Sequence, residues 1–322
     1  MLGKMIDLHC DALYYAAVSK TYSLRSNGGH VSFEKMRAGG VSAQCFAIFT
    51  AAGEDADTHF PGPYEFYKAA VAAYDRELKA NSDLIRPALC AADIKNNEKD
   101  GKLSAILTVE NAIPLEGRIE RLQEFFADGV RMMSFTWNQE NETGYPNDAV
   151  PARNQRGLKP FGLECLSKMN ELGIIADVSH LSEGGFWDVV RHSKKPFAAS
   201  HSCARALCGH PRNLTDEQLR AIGDSGGVSG VCYVPEFLRP GSRHTTAEDV
   251  VRHIRYIHNV AGREAVAIGS DFDGFTDSVE WTDCSGCRQL REELNRYFPA
   301  SDVDRICGGN FLRVLREVSP GE

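Results

Sequence analysis

Apolar and β-branched residues gather along this chain in eight short runs, at residues 4–9, 41–49, 103–109, 130–136, 174–179, 196–200, 227–233 and 265–270. Within each run the apolar positions are nearly continuous, with little polar alternation, which is the pattern of parallel strands buried on both faces. The stretches between them read differently. Residues 63–80, 115–127, 158–172, 183–192, 215–224, 247–261, 287–297 and 303–318 carry apolar side chains at helical spacing, as Val250, Ile254 and Ile257 do in one of them. Several of these stretches have legible ends. Ser182 is placed to cap the one that follows it, and Gly173 and Gly262 each stand just past a last turn. Eight strand–helix units predict a (β/α)8 TIM barrel of the α/β class, as a single domain over residues 1–322. A doubly wound open sheet fits less well, because Cys10-Asp11-Ala12-Leu13 after the first strand is no glycine-rich nucleotide turn. The long connection over residues 50–102 is expected to hold two helical pieces.

Composition narrows the partners. The chain has 322 residues, 43% hydrophobic and 25% charged, as ordinary soluble globular proteins do. Its net charge is −8, and basic residues are nowhere denser than pairs such as Lys194-Lys195, which argues against nucleic acid. No run approaches the ~18 apolar residues of a membrane span. Met1-Leu2-Gly3-Lys4 lacks the apolar core of a signal peptide. The ten cysteines are scattered and some sit inside apolar runs (Cys45, Cys232), as expected of reduced core residues in a cytoplasmic protein. Cys284-Ser285-Gly286-Cys287 is a lone pair with no second one to complete a structural zinc site.

In barrels of this type the working residues stand at the C-terminal ends of the strands. Here those ends repeat a theme. His9-Cys10-Asp11 closes the first strand, Glu110 the third, His180 the fifth, His201 the sixth and Asp271-Phe272-Asp273-Gly274 the eighth. Residues i and i+2 of a strand share a face, so His9 and Asp11 are expected to project together. Taken singly, each residue has a plain structural reading: a hydrogen-bonded histidine, a capping aspartate, or a Glu110 paired with Arg131. Their coincidence at five of eight ends is what points to chemistry. Imidazole and carboxylate donors suit zinc and similar divalent ions. Glu110, with two oxygens, is placed to bridge two cations ~3.5–4 Å apart, as in two-metal hydrolases. His9, Asp11 and Glu110 would hold one zinc, and Glu110, His180 and His201 the other. Asp271 is the candidate general base. Arg212 either forks onto a substrate carboxylate or ties down its own loop. His30, His59 and His244 fall in polar loops, while His192, His253 and His258 lie on predicted helices as surface or boundary residues.

Together these residues resemble the membrane dipeptidase (renal dipeptidase) family of zinc peptidases. The likeness runs from Asp7 to about Leu315 and is carried by Asp7-Leu8-His9-Cys10-Asp11, Val109-Glu110-Asn111-Ala112, Asp177-Val178-Ser179-His180, Ser200-His201-Ser202, Arg212-Asn213, Ser270-Asp271-Phe272-Asp273-Gly274 and Gly308-Gly309-Asn310-Phe311. The resemblance implies two zinc ions bridged by Glu110, with His9, Asp11, His180 and His201 as the other ligands. It also implies Arg212 as the carboxylate anchor and Asp271 as the catalytic aspartate, and Tyr233 is taken as a further substrate contact. The implied reaction is hydrolysis of dipeptides, with tolerance for a D-residue at the C-terminal position, by a homodimer. One departure stands out. After the fourth strand the mammalian members carry a Thr-His pair, whereas this chain reads Thr136-Trp137-Asn138. Trp137 can donate from its indole N–H but cannot accept a proton. Either Trp137 N–H or Asn138 is then expected to contact the substrate's developing oxyanion, or the site is tuned differently. With no signal or anchor segment, the chain looks like a soluble, bacterial-type member. The alternatives are another amidohydrolase acting on a small carboxylate-bearing amide or lactone, and a metal-free binding protein. Many such amidohydrolases bridge their metals with a carboxylated lysine on the fourth strand, where this chain offers Arg131.

Overall fold

The structure, a computed structural model, describes residues 5–51 and 59–319. Lys4, the first residue of the first predicted strand, lies outside them. Among the described residues eight parallel strands form a closed ring: β1 (Met5–Cys10), β2 (Val41–Phe49), β3 (Leu103–Glu110), β4 (Val130–Ser134), β5 (Ile175–Asp177), β6 (Ala198–Ala199), β7 (Val228–Val231) and β8 (Val266–Ile268). Each pairs with the next, and β8 closes on β1 through Asp7 and Ile268. The predicted TIM barrel is therefore present. A short extra strand, Ile85–Pro87, pairs with the N-terminal half of β3 below the point where β4 joins.

Several strands are shorter than predicted, and the reason lies in two aspartates. Asp177 Oδ1 accepts the backbone N–H groups of Ser179 and Ser200, and Asp7 Oδ1 accepts those of His9 and Ser270. Donors that would have extended the ladders are turned to carboxylates instead, so β5, β6 and β8 stop early and release their ends into loops. The site residues sit in those loops.

The helices ring the barrel. Residues 247–261 and 183–192 are helical as predicted, the first opened by a reciprocal Thr246–Asp249 capping box and the second by Ser182 accepting from Gly185 N–H. Thr215 is an N-cap, and its helix begins at Asp216. The helix expected over 115–127 forms only over Arg121–Ala127, and the one expected over 287–297 ends at Leu294. The last predicted helix, 303–318, is broken into Ala300–Asp304 and Asn310–Val318. Gly308 lies at the break in extended geometry, where a Cβ would come within 2.9 Å of Ile6 on the barrel floor. The connection between β2 and β3 does hold two helices, Pro63–Ala80 and Ala91–Lys99.

Two apolar cores result. One lies between the strands and the surrounding helices. The other draws residues from all eight strands, including Ile6, Leu8, Ala43, Ile106, Met132, Ile175, Ala198, Val228 and Ala267, which can meet only inside the ring. Phe311, Val314, Leu315 and Val318 of the last helix plug that interior from below. The upper end is left to polar residues.

Candidate metal centre

The five predicted ligands converge at that upper end, and none is more than 8% exposed. Ligand atoms of His9, Asp11 and Glu110 lie within 4.8 Å of one another, as do those of Glu110, His180 and His201. The two groups share Glu110, whose oxygens divide between them. Oε2 faces His9 Nε2 at 3.4 Å, while Oε1 faces His180 Nε2 at 2.9 Å and His201 Nε2 at 3.5 Å. His9 Nε2 is also 3.4 Å from Asp11 Oδ2 and 3.7 Å from Asp271 Oδ1.

The surroundings set the imidazoles for coordination. Ser200 Oγ donates to Asp177 Oδ2 at 2.5 Å and lies 2.7 Å from His201 Nδ1. With its proton committed to Asp177, Ser200 Oγ accepts from Nδ1–H, which leaves the lone pair on His201 Nε2. Asn138 Oδ1 lies 3.1 Å from His180 Nδ1 and sets the same tautomer there. The two Nε2 atoms then meet at 3.0 Å with lone pairs turned to a common point. Two acceptors cannot bond each other, so the arrangement calls for a cation. His9 Nε2 and Asp11 Oδ1 are likewise buried without a hydrogen-bond partner.

Electrostatics agree. Burial, helped by Arg212, pushes His180 down to about 4, and burial with His9 and Arg212 pushes His201 well below its ordinary value. Both are neutral near pH 7, as ligands must be. Burial also opposes charge on His9, but Glu110 and Asp11 outweigh it and hold that imidazole well above its usual range. Burial raises Asp11 to about 6 and Asp271 to about 7. Burial acts upward on Glu110 too, but His9 and His180 overcome it and hold that carboxyl well below its ordinary value. The crowded carboxylates thus keep a proton on His9, in a place where a metal ion would supply the positive charge. The donor set, the orphaned atoms and the charge balance fit divalent cations.

The backbone is strained where the site is built. His180, Asp271, Asp273 and Asn111 all have φ between 64° and 74°. Asp273 is pinned by a reciprocal clasp: its Oδ1 accepts His30 N–H at 2.5 Å, and its own N–H donates to His30 Nδ1 at 3.0 Å. His30 therefore holds the loop carrying Asp271, a role its polar loop gave no sign of.

A cavity of about 300 Å³ opens over the centre, lined by Asp11, Glu110, His180, Asp271 and Asp273 and by Tyr14, Tyr15, Phe49 and Trp137. Trp137 is brought to this cavity, and its ring packs edge-on against Phe49 at 4.8 Å. Asn138 is engaged with His180. Arg212 is buried, lies just beyond His180 beside a small void of about 10 Å³, sits over the Phe237 ring at 5.5 Å, and makes long hydrogen bonds to Ser202 Oγ and the His201 carbonyl. Its Nε has no partner, and among the described residues no carboxylate pairs with it. It does not tie down its loop through an ion pair. Tyr233 is not brought to the cavity. Its ring is fully buried between Phe272 and Trp281, with the hydroxyl unpartnered.

Other residues fall away from the site. Arg131 does not approach Glu110; its guanidinium donates to the carbonyls of Leu89, Phe126 and Val130. His253, expected near the surface, is fully buried, with Nδ1 accepting Ala204 N–H and Nε2 facing the Leu238 carbonyl. Cys284 and Cys287 are free thiols packed in the outer core. Tyr14, Tyr15 and Phe49 were missed in the sequence. Tyr14 and Tyr15 lie just past the end of β1 and Phe49 is the last residue of β2, and those positions were the available signal.

A TIM barrel with a His/carboxylate cluster at its C-terminal face defines a metal-dependent hydrolase. A family model for membrane dipeptidase, peptidase family M19, matches residues 3–320. The chain belongs to that family and is a metal-dependent dipeptidase. An uncharacterized dipeptidase of Schizosaccharomyces pombe is 33% identical over 339 residues, covering 98% of this chain and 80% of that one. A solved metallopeptidase from Rhodobacter sphaeroides, liganded with a phosphinate mimic of L-Ala-D-Ala, is similar with a TM-score of 0.89 and 27% identity over 99% of this chain and 100% of that one. Another solved family M19 dipeptidase gives 0.90 and 26% over the full length of both chains. Among the described residues no helix is long and apolar enough to cross a membrane.

Proposed function

We propose that the protein is a dinuclear zinc dipeptidase that accepts a D-residue at the C-terminal position. The observation that carries this is the division of Glu110, with Oε2 toward His9 and Oε1 toward His180 and His201. His9 and Asp11 complete one metal position, and His180 and His201 the other. Bound there, two divalent cations supply Lewis-acid polarisation of the scissile carbonyl and acidify water.

The chain's own residues do the rest. Asp271 takes a proton on Oδ1, the oxygen facing His9, and returns it to the leaving amine. Asp271 Oδ1 stands 3.7 Å from His9 Nε2, within reach of the centre where that proton is released and returned. Arg212, a buried guanidinium without a carboxylate partner, anchors the dipeptide's C-terminal carboxylate and so limits substrates to short peptides. Asn138 holds His180 in register. Trp137 and Phe49 shield the reacting centre from water. Tolerance of a D-residue is supported by the Rhodobacter relative's L-Ala-D-Ala mimic.

The same reading takes the whole chain as one barrel domain working as a cytoplasmic homodimer. Ten free cysteines suit a reducing compartment, and sedimentation would test the dimer. The main experiment is metal analysis together with a panel of L,L-, L,D- and D,D-dipeptides in the presence of Zn²⁺. The expected result is two zinc ions per chain with cleavage of L,L and L,D substrates. Fewer than about one ion per chain would overturn the dinuclear assignment. Failure to cleave any L,D-dipeptide would overturn the stereochemical one.

A further inference from the structure

The cavity over the centre has two unlike walls. One carries Asp11, Glu110, Asp271 and Asp273, and among the described residues no lysine or arginine lines it. The other is aromatic. Trp137 packs edge-on against Phe49 at 4.8 Å between ring centroids, and Tyr14 follows at 6.5 Å from Phe49. Tyr14 is braced from behind by Phe66 at 5.7 Å, so this wall is held in place and not free to swing.

Charge decides which half of a dipeptide meets these walls. A free carboxylate finds its counter-charge at Arg212, which lies past His180 and outside this cavity. A free ammonium group is favoured by Asp271 and Asp273, the lining carboxylates not assigned to a metal. The amino-terminal half of the substrate therefore occupies the 300 Å³ cavity, and its side chain is left facing the aromatic wall. A small side chain leaves three aromatic faces in contact with water. A large apolar one covers them, and an aromatic ring adds edge-to-face contacts with Phe49 and Trp137.

We infer that Tyr14, Phe49 and Trp137 form the seat for the side chain of the N-terminal residue, and that the enzyme selects dipeptides whose N-terminal residue is large and apolar, above all aromatic. This rests on the dipeptidase reading. Trp137, which stands where the mammalian enzymes carry histidine, is thus a specificity-determining residue in this chain.

The test is kcat/KM for Gly-Ala, Ala-Ala, Leu-Ala and Phe-Ala with the zinc-loaded enzyme. Calorimetric titration with uncleavable methyleneamino isosteres of Phe-Ala and Gly-Ala gives a second readout that needs no turnover. The wild type should favour Phe-Ala over Gly-Ala by about tenfold or more in both measurements. Trp137→Ala and Phe49→Ala should each cut that ratio about fivefold or more, and Trp137→Phe should keep most of it. A flat substrate series would overturn the inference. So would an equal loss on every substrate in Trp137→Ala, since that would make Trp137 a support for His180. If dipeptides are cleaved without side-chain preference, the seat is wrong and the dipeptidase reading stands. If none is cleaved while the Phe isostere still binds more tightly than the Gly isostere, the seat stands and the dipeptidase reading falls.

Discussion

Gly274 offers a direct test of how tightly the carboxylates must be held. It follows the Asp271-Phe272-Asp273 segment. A Cβ added there would stand 2.7 Å from Asp271 Oδ1 and closer still to Asp11 Oδ2. Ordinary contact for a Cβ begins near 3.4 Å, so in Gly274→Ala both carboxylates must retreat by more than about 0.7 Å. The backbone itself can accept alanine, because Gly274 is not among the residues with positive φ. The two nearest atoms are side-chain ends and the Asp271 carbonyl follows at 3.2 Å, so the carboxylates give way first and the fold should absorb the change with a shift in Tm of about 3 °C or less. Chemistry should not absorb it. A misplacement approaching 1 Å costs on the order of 100-fold in rate, about 2.7 kcal/mol of transition-state stabilisation. One of the two carboxylates is a predicted metal ligand, so zinc affinity at the His9–Asp11 position should fall as well. The assay is kcat/KM on a dipeptide with zinc content and Tm measured on the same preparation. Turnover within about threefold of wild type, with full zinc, would refute the argument that these oxygens are held to their places. A collapse of Tm would refute the claim that side chains absorb the clash.

Asp271→Asn should retain zinc and lose about 10²- to 10⁴-fold in kcat, and near-wild-type turnover would remove Asp271 as the base. Arg212→Ala should raise KM for dipeptides about 10- to 100-fold with a smaller effect on kcat, measured by initial rates; an unchanged KM would move the carboxylate anchor elsewhere. His253 makes the fold acid-sensitive. Burial lowers its folded-state pKa from the ordinary 6.5 to about 4. Between those values the unfolded chain binds more protons, so the stability contributed by neutral His253 is complete above pH 6.5 and is lost as pH falls toward 4. The loss amounts to about 3 kcal/mol. Tm followed from pH 7 to 4.5 should fall less steeply in His253→Gln than in the wild type, and parallel slopes would contradict the assignment.

The barrel was legible because each strand is buried on both faces and therefore reads as a continuous apolar run. The cluster was legible because strand-end residues of unusual chemistry recur at one end of the ring. What could not be read has specific causes. The strands predicted to reach Ser179, Ser200 and Ser270 end early because Asp177 and Asp7 accept the backbone donors there. His253 resembled a surface histidine because its partners, Ala204 and Leu238, are 49 and 15 residues away in sequence. His30 resembled a loop residue because its partner, Asp273, is 243 residues away. The packing of Tyr233 between Phe272 and Trp281 was not legible because Trp281 is 48 residues away in sequence and Phe272 is 39.

The order of His9, Asp11, Glu110, His180, His201 and Asp271 at strand ends is a property of the sequence alone. It is enough to specify a TIM barrel with candidate metal ligands at one face, because the period of the pattern and the fold's polarity are local. Tertiary structure decided everything that depends on distance between strands. It set the division of Glu110 between two candidate ligand groups, the tautomers that Ser200 and Asn138 impose, and the lack, among the described residues, of a carboxylate in ion-pair distance of Arg212. It also set the meeting of an acidic and an aromatic wall over one cavity. These are relations among residues tens to hundreds of positions apart, and only closure of the ring brings them within reach of one another.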